Sequence, residues 1–344
     1  MSNFIDLKNN PRLKVIYEQR LQILRFTRDF FWSQNFVEAE TPIALRLPGQ
    51  EPYLNPMPVD IIDPYQTPHK FFLRTSPEYA LKKLLAAGWE KVFEISKCFR
   101  NIESFGGTHN PEFTMIEWYR APGSYFDIMN DTENLFKYVG QKLKVEKLKY
   151  KNKEIEYLNG WKKVSVKELW QKYLQENLDD YLDVKNLKEL TKKRGWSVDE
   201  NDTYEDLFYK IFLNEIEVHL GIEKPIFVYD YPAQMCSLSR LCKNDDRYAE
   251  RFELYIGGLE LANAFGELTD AKAQKVNLEK DQLLRRELNK EIWPIDENFI
   301  AALDSGLPPA GGIALGVDRM VVLFTGALDI NEVIFQSVAD QLSN

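Results

Sequence analysis

Along residues 12–35, Leu13, Ile16, Ile23, Leu24, Phe30 and Phe31 fall mostly on one stripe, with Arg12, Lys14, Glu18, Arg25 and Asp29 outside it. That pattern predicts an amphipathic helix ending at Asn35. In FVEAETPIAL, Phe36 and Val37 predict a strand broken at Pro42, which cannot donate to a ladder. Residues 46–70 are rich in proline and read as loops and short edge strands. In TSPEYALKKLLAAG, Leu81, Leu84 and Leu85 give a helix one buried face; Ser76 suits its cap, Pro77 its first position and Gly88 its end. VFEISKCFR leads into a strand–loop–strand. Phe113, Met115, Glu117 and Tyr119 alternate there with Thr114, Ile116 and Trp118, behind a Gly106-Gly107 turn. Residues 126–224 carry lysine- and glutamate-rich helical patterns and predict a mostly helical insertion, after which PIFVYDYP returns as a strand. RFELYIGGLELANAFGEL predicts a hairpin about Gly257-Gly258, residues 270–304 predict helices, and GGIALGVDRMVVLF predicts a glycine-rich strand opening into an apolar helix.

The chain's 344 residues, 44% hydrophobic, suffice for one large domain with an insertion. A net charge of −9 argues against strong non-specific nucleic-acid binding and suits a basic partner. Cys98, Cys236 and Cys242 form an odd, sparse set, which suggests reduced thiols and a cytoplasmic protein. The three histidines are scattered without a zinc pattern. No signal core or membrane-length apolar run is present.

The polar residues on these elements suggest a nucleotide site. Arg100 stands at the entrance of the Gly106-Gly107 loop, and His109 and Asn110 stand at its exit, with Glu112 and Glu117 beyond. A guanidinium there can fork onto phosphate oxygens; a plain surface hairpin is the alternative. Glu78 could bind a substrate amine or only complement the helix dipole. Glu253, Glu260 and Glu267 on one hairpin call for a cation or an ammonium among them. Gly311, Gly312 and Gly316 allow backbone to approach a ligand beside Arg319.

Taken in order, FRN…HNPEFTMIEWY, ELANAFGEL and GVDRMVVLFTG resemble the motifs of class II aminoacyl-tRNA synthetases, in their lysyl branch. The helix, short strand and Pro42 resemble the family's dimer-forming first motif. The likeness runs from about Arg12 to the C-terminus, interrupted by the insertion. Lysyl enzymes carry an N-terminal anticodon-binding barrel, for which this sequence leaves no room. In that, and in Ser76 and Ala314, it is similar to the elongation factor P–lysine ligases.

The resemblance implies an α+β fold: a mostly antiparallel sheet of six or seven strands, flanked by helices, in a homodimer. It implies ATP and Mg²⁺, a lysine or (R)-β-lysine substrate, elongation factor P as acceptor rather than tRNA, and no membrane. Arg100 and Arg319 would hold the phosphates of ATP. Asn101, Glu103, His109, Asn110, Phe113, Glu260, Leu261 and Gly316 would surround the nucleotide, with adenine on Phe113. Glu253 and Glu260 would bind magnesium. Ser76, Pro77, Glu78, Glu117, Tyr119, Asn263, Glu267 and Ala314 would hold the amino acid, with Tyr119 and Glu267 at its far ammonium. The sequence departs from the family at Ile102, which stands where a glutamate usually contacts adenine, and at Thr108. Either Glu103 takes over, or backbone and stacking alone hold adenine. The rival readings are a compact lysyl-tRNA synthetase with another acceptor and a catalytically silent synthetase fold.

Overall fold

The computed structural model describes residues 4–343. A short helix α1 (Phe4–Asn9) leads through Asn10 into α2 (Pro11–Ser33). The Asn10 side chain accepts from the amides of Arg12 and Leu13, and Pro11 occupies the first position, where its missing N–H costs nothing. Next come β1 (Val37–Glu38), β2 (Ala44–Leu45), β3 (Met57–Ile62), β4 (Pro68–Leu73) and α3 (Glu78–Ala86). β5 (Lys91–Phe99) and β6 (Glu112–Arg120) follow, then α4 (Tyr125–Leu143), the hairpin β7 (Leu148–Tyr150) and β8 (Lys153–Ile155), and β9 (Lys162–Ser165). Three helices, α5 (Val166–Leu174), α6 (Val184–Lys193) and α7 (Tyr204–Ile211), precede β10 (Ile226–Pro232), β11 (Leu241–Cys242), β12 (Asp245–Ile256) and β13 (Leu259–Gly266). The chain closes with α8 (Ala271–Glu287), α9 (Glu297–Asp304), β14 (Gly311–Gly316), α10 (Val317–Thr325) and α11 (Val338–Leu342).

The main sheet has nine strands in the order β1-β5-β6-β14-β13-β12-β10-β9, with β11 beside β12. Its centre is antiparallel, and its two edge pairs, β1 with β5 and β9 with β10, are parallel. The sequence suggested six or seven strands. β9 and β11 raise the number; they have four and two residues, too few to show an alternation. A parallel return needs a crossover, and α5–α7 supply it between β9 and β10.

Alternation divides the sheet into two faces. Phe93, Ile116, Trp118, Ala262, Ala264, Ile313 and Leu315 lie in the core with residues of α2, α4 and α10. Each large apolar side chain buried there is worth roughly 1.5–3 kcal/mol. The opposite face carries a cross-strand line in which Glu94 pairs with Glu117, Glu117 with Ala314, Ala314 with Asn263 and Asn263 with Glu253. A second cluster, built from α3, α8 and α9, closes one end of that face with Leu81, Leu85, Leu278, Phe299 and Leu303.

Residues 126–224, expected to be a mostly helical insertion, divide by packing. Ile128, Met129, Leu135, Phe136 and Val139 of α4 belong to the core beneath the sheet, and β9 joins the sheet itself. α5–α7 pack a cluster of their own against β10 through Trp170, Leu187, Phe208 and Ile211. Among the described residues no helix is long and apolar enough to cross a membrane.

One buried polar knot ties three elements. Asp318 at the start of α10 accepts from Arg20 of α2 at 2.5 Å and from the Thr114 amide of β6 at 2.7 Å, and Arg20 donates to the Thr114 hydroxyl at 2.9 Å. Arg20 is 6% exposed and Asp318 2%. Removing one partner of such a pair leaves the other charge buried and alone. Asp318→Ala is predicted to destabilise the protein by about 3–5 kcal/mol. Urea unfolding followed by tryptophan fluorescence should show a lower midpoint, and an unchanged midpoint would contradict the role assigned to the knot.

Candidate active site

The site face is a cavity with two chemically different ends. One is built on the start of α3. Ser76 stands one residue before the N-cap Pro77 and does two things. Its hydroxyl accepts from the Glu78 amide at 2.9 Å and donates to Glu117 Oε1 at 2.6 Å. Tyr119, two residues along β6 and so on the same face, donates to Glu117 Oε2 at 2.8 Å. Burial, and then the charge of Glu78, push the Glu117 carboxyl up to about 8.

Beneath this layer lies Lys82, 0% exposed. It is one turn after Glu78, and its Nζ contacts Glu78 Oε1 at 2.6 Å and Glu267 Oε2 at 2.5 Å. Burial alone would lower its pKa; Glu267 and Glu78 outweigh that and hold it above the usual lysine value. Glu267 is 0% exposed and its Oε1 has no hydrogen-bond donor. A Cβ on Gly312 would stand 2.1 Å from the Tyr119 ring and 2.3 Å from that Oε1, so only glycine lets ring and carboxylate meet there.

The other end is basic. Arg100 lies with its guanidinium 5.1 Å from the centre of the Phe113 ring, and its Nε is buried without an acceptor. An orphaned guanidinium donor beside an open cavity is suited to an oxyanion. Arg319, on the first turn of α10, donates to the Thr108 carbonyl at 3.2 Å and to the Glu260 carbonyl, and meets His109 Nε2 at 2.9 Å. Burial, then Arg319, lower the His109 pKa, so its ring is neutral. Asn110 spends its side chain on the protein, donating to Glu112 O at 2.6 Å and accepting from the Val338 amide at 3.1 Å.

Glu260 stands on the cavity wall, with Glu217 and Glu253 close to it but off the wall. Burial, then Glu253, raise the pKa of Glu260. Glu217, which follows α7, is pushed up to about 7 by burial and then by Glu260 and Glu253. Glu253 itself accepts from the Tyr231 hydroxyl at 2.5 Å, from the Tyr255 hydroxyl at 2.6 Å and from Arg251 at 2.6 Å. Both its oxygens are therefore engaged, and it does not line the cavity. That arrangement argues against the expectation that Glu253 ligates a metal directly. Among the described residues no group of three or more histidine, cysteine or acidic side chains is arranged to hold a metal ion.

The cavity wall contains Ser76, Glu78, Arg100, Glu103, His109, Asn110, Phe113, Glu117, Tyr119, Glu260, Leu261, Asn263, Ala314, Gly316 and Arg319. Four other expected residues lie off it. Asn101 is exposed, and its side chain accepts from the Ile102 amide at 3.1 Å. Pro77 lines a smaller cleft behind α3. Glu253 and Glu267 are buried behind the wall. Ile102 is 83% exposed, and Glu103 rather than Ile102 faces the cavity. The sequence reading passed over Lys82, Glu217 and Glu51. The signal for Lys82 was its place four residues after Glu78 on a leucine-bearing face, where a lysine can reach that carboxylate.

The family model for class II tRNA synthetases (D, K and N) matches residues 1–337. The elongation factor P–(R)-β-lysine ligase of Proteus mirabilis is 37% identical over 92% of this chain and 93% of its own length. That of Klebsiella pneumoniae strain 342 is 37% identical over 92% and 93%. The chain belongs to this class II synthetase family. The lysine–tRNA ligase of Pelotomaculum thermopropionicum is 36% identical over 96% of this chain but 65% of its own length. The class II relationship agrees with the largely antiparallel sheet flanked by helices.

Glu117 supplies a pH test. Below about 8 its carboxyl is protonated in the empty site. A bound ammonium favours the carboxylate and expels that proton. A ligand that brings an ammonium to Glu117, tested with L-lysine as the probe, is therefore predicted to bind more tightly as pH rises from about 6 toward 8, by at most about tenfold per pH unit. It should release protons at pH 7, measured by calorimetry in buffers of different ionisation enthalpy. Glu117→Gln should reduce the release, and absence of release from the unsubstituted protein would contradict this account.

Proposed function

We propose that this protein uses ATP to activate a lysine-like amino acid, (R)-β-lysine foremost, and joins it to a lysine side chain of translation elongation factor P in the cytoplasm. The observation that carries the reading is the two-ended cavity, with the orphaned Arg100 guanidinium at one end and the Glu78 and Glu117 carboxylates at the other, the partnerless Glu267 oxygen lying behind them. The names of the full-length relatives support the substrate and the acceptor.

In this reading the amino acid lies along the site face. Its carboxylate is near Arg100, its nearer amine is at Glu78 and Ser76, and its far ammonium is at Tyr119 and Glu267, with Asn263 and Ala314 beneath the chain. The carboxylate attacks the α-phosphorus of ATP, and the bond to the bridging oxygen breaks as pyrophosphate leaves. Arg100 and Arg319 stabilise the charge on the phosphates, and Phe113 stacks on adenine with Glu103 at its edge. The acceptor amine then attacks the acyl carbonyl, AMP departs with the bonding electron pair, and the amine's surplus proton passes to water. No side chain need form a covalent bond, because the site orients and neutralises. Of Glu217, Glu253 and Glu260, Glu260 is the one on the cavity wall, and it offers a hard oxygen donor to a divalent cation. Glu260 would hold Mg²⁺, which would neutralise phosphate charge, while Glu253 adds negative potential from behind.

The acceptor assignment also rests on charge. Phosphate contacts supply much of the affinity for a nucleic acid, and the chain's net charge is −9. A protein loop presenting one lysine needs only a complementary surface. Pyrophosphate exchange should depend on (R)-β-lysine or lysine and fail with norleucine. Arg100→Ala and Arg319→Ala should each lower it on the order of a hundredfold. With elongation factor P present, label should enter the protein in a bond stable to mild alkali. Transfer to tRNA in an alkali-labile ester would overturn the acceptor, and no exchange with any diamino acid would overturn the enzyme.

We also propose a homodimer through α2 and the strand about Pro42. Val15, Leu21 and Trp32 of α2, with Val37 and Ile43, are each 45–51% exposed. Sedimentation equilibrium should give twice the chain mass, and Leu21→Asp should shift the population toward monomer; a monomer at micromolar concentration would contradict it.

A further inference from the structure

The segment between β2 and β3 is a strap that contributes Glu51 and Leu54 to the cavity wall, and it is fastened by residues that lie off that wall. Arg285 donates to the carbonyls of Glu51 at 2.8 Å and Leu54 at 3.1 Å. Lys290 donates to Pro52 O at 2.7 Å, and the Trp293 indole donates to Pro48 O at 2.9 Å. Gln50 returns a bond to Pro294 O at 3.2 Å, and the Asn101 amide reaches Asn55 O at 2.7 Å. All these bonds hold main chain or Gln50, and none touches the carboxylate of Glu51.

Glu51 lines the same cavity as Ser76, Glu78 and Arg100, and also the smaller cleft beside it with Gly49 and Tyr79. Among the described residues no lysine or arginine lies within ion-pair distance of its carboxylate, and no residue other than Glu51 itself donates to it. Its position is built into the strap, because a Cβ on Gly49 would stand 2.1 Å from Glu51 Oε2. Glycine at 49 makes room for the carboxylate to fold over the backbone. Glu51 shares the cavity wall with Glu78 and Arg100, the end where an amino acid's reacting carboxylate and nearer amine would lie, and it feels the repulsion of Glu78 and the attraction of Arg100 and Arg285. Burial, and then the charge of Glu78, raise its pKa, as expected of a carboxylate that lacks a cation.

We propose that Glu51 is a specificity residue that, with Glu78, binds the substrate ammonium nearest the reacting carboxylate. The inference rests on the proposed lysine-like substrate and adds a second acceptor for one of its two amines. Two carboxylates on separate elements, the strap and α3, take that ammonium from two sides. A carboxylic acid lacking the amine would leave both without a partner and bind poorly.

Calorimetric titration without ATP tests this. The probes are (R)-β-lysine, L-lysine and 6-aminohexanoate, which keeps the carboxylate and the far ammonium but lacks the nearer amine. Glu51→Gln should weaken the preferred diamino acid on the order of tenfold, as loss of one charged hydrogen bond does. It should leave 6-aminohexanoate within about twofold, within the scatter of a surface substitution. Unchanged 6-aminohexanoate binding also certifies that the variant's site is folded. Equal losses for both acids, or no loss for the diamino acid, would overturn the role of Glu51 alone. Failure of the unsubstituted protein to bind either diamino acid would overturn the substrate assignment with it.

Discussion

The arrangement of the site depends on one buried ammonium. Glu78, Glu117 and Glu267 converge where water is excluded. Two carboxylates about 5 Å apart repel by roughly 3 kcal/mol at an effective dielectric constant near 20. Lys82 removes part of that cost, because a single Nζ touches both Glu78 and Glu267. Those two contacts, 2.6 and 2.5 Å long, hold the oxygens no more than about 5.1 Å apart. The rest of the amine end follows. α3 must bring Lys82 inward with Leu81 and Leu85, and Gly312 must lack a side chain so that Tyr119 can lie against Glu267. Ser76 must precede the cap so that its hydroxyl serves both the helix and Glu117.

One lysine does not balance both Glu78 and Glu267, and Glu117 gives up its proton when a further cation arrives. The remaining negative charge is what a substrate with two ammonium groups would neutralise. The basic end shows the opposite imbalance, with an Arg100 Nε that has no acceptor. The two deficits face each other across the sheet. A zwitterionic molecule with extra positive charge at one end, set beside a polyphosphate, satisfies both.

Much of this was legible in the sequence, because it rests on local periodicity. Alternation in residues 112–120 assigned Glu117 and Tyr119 to one face and Ile116 and Trp118 to the other, as the packing shows. The α3 helix was legible from its leucines and its start signals. What failed to show was non-local. Glu253 alternates onto the site face, yet Tyr231 on the neighbouring strand and Arg251 on its own consume its oxygens, and no local pattern announces that. Lys82 reads as an ordinary solvated lysine until α3 is docked. Glu51 sits in a proline-rich stretch without periodicity, held by side chains more than two hundred residues later. The long segment after β6 read as one insertion because helices look alike in sequence; packing alone separates α4, a core helix, from α5–α7.

The line from Glu94 through Glu117, Ala314 and Asn263 to Glu253 crosses five strands without a break in register. The residues one step along each strand form the hydrophobic floor. Site and core are thus two readings of the same pleat, and a slip of one residue in any central strand would exchange them. A misregistered chain would present tryptophan and isoleucine to water and bury glutamate among leucines. It would be unstable well before it could be a poor catalyst. The folding reaction therefore acts as an inspector of the active site, and quality control that discards unfolded chains discards mis-built sites with them.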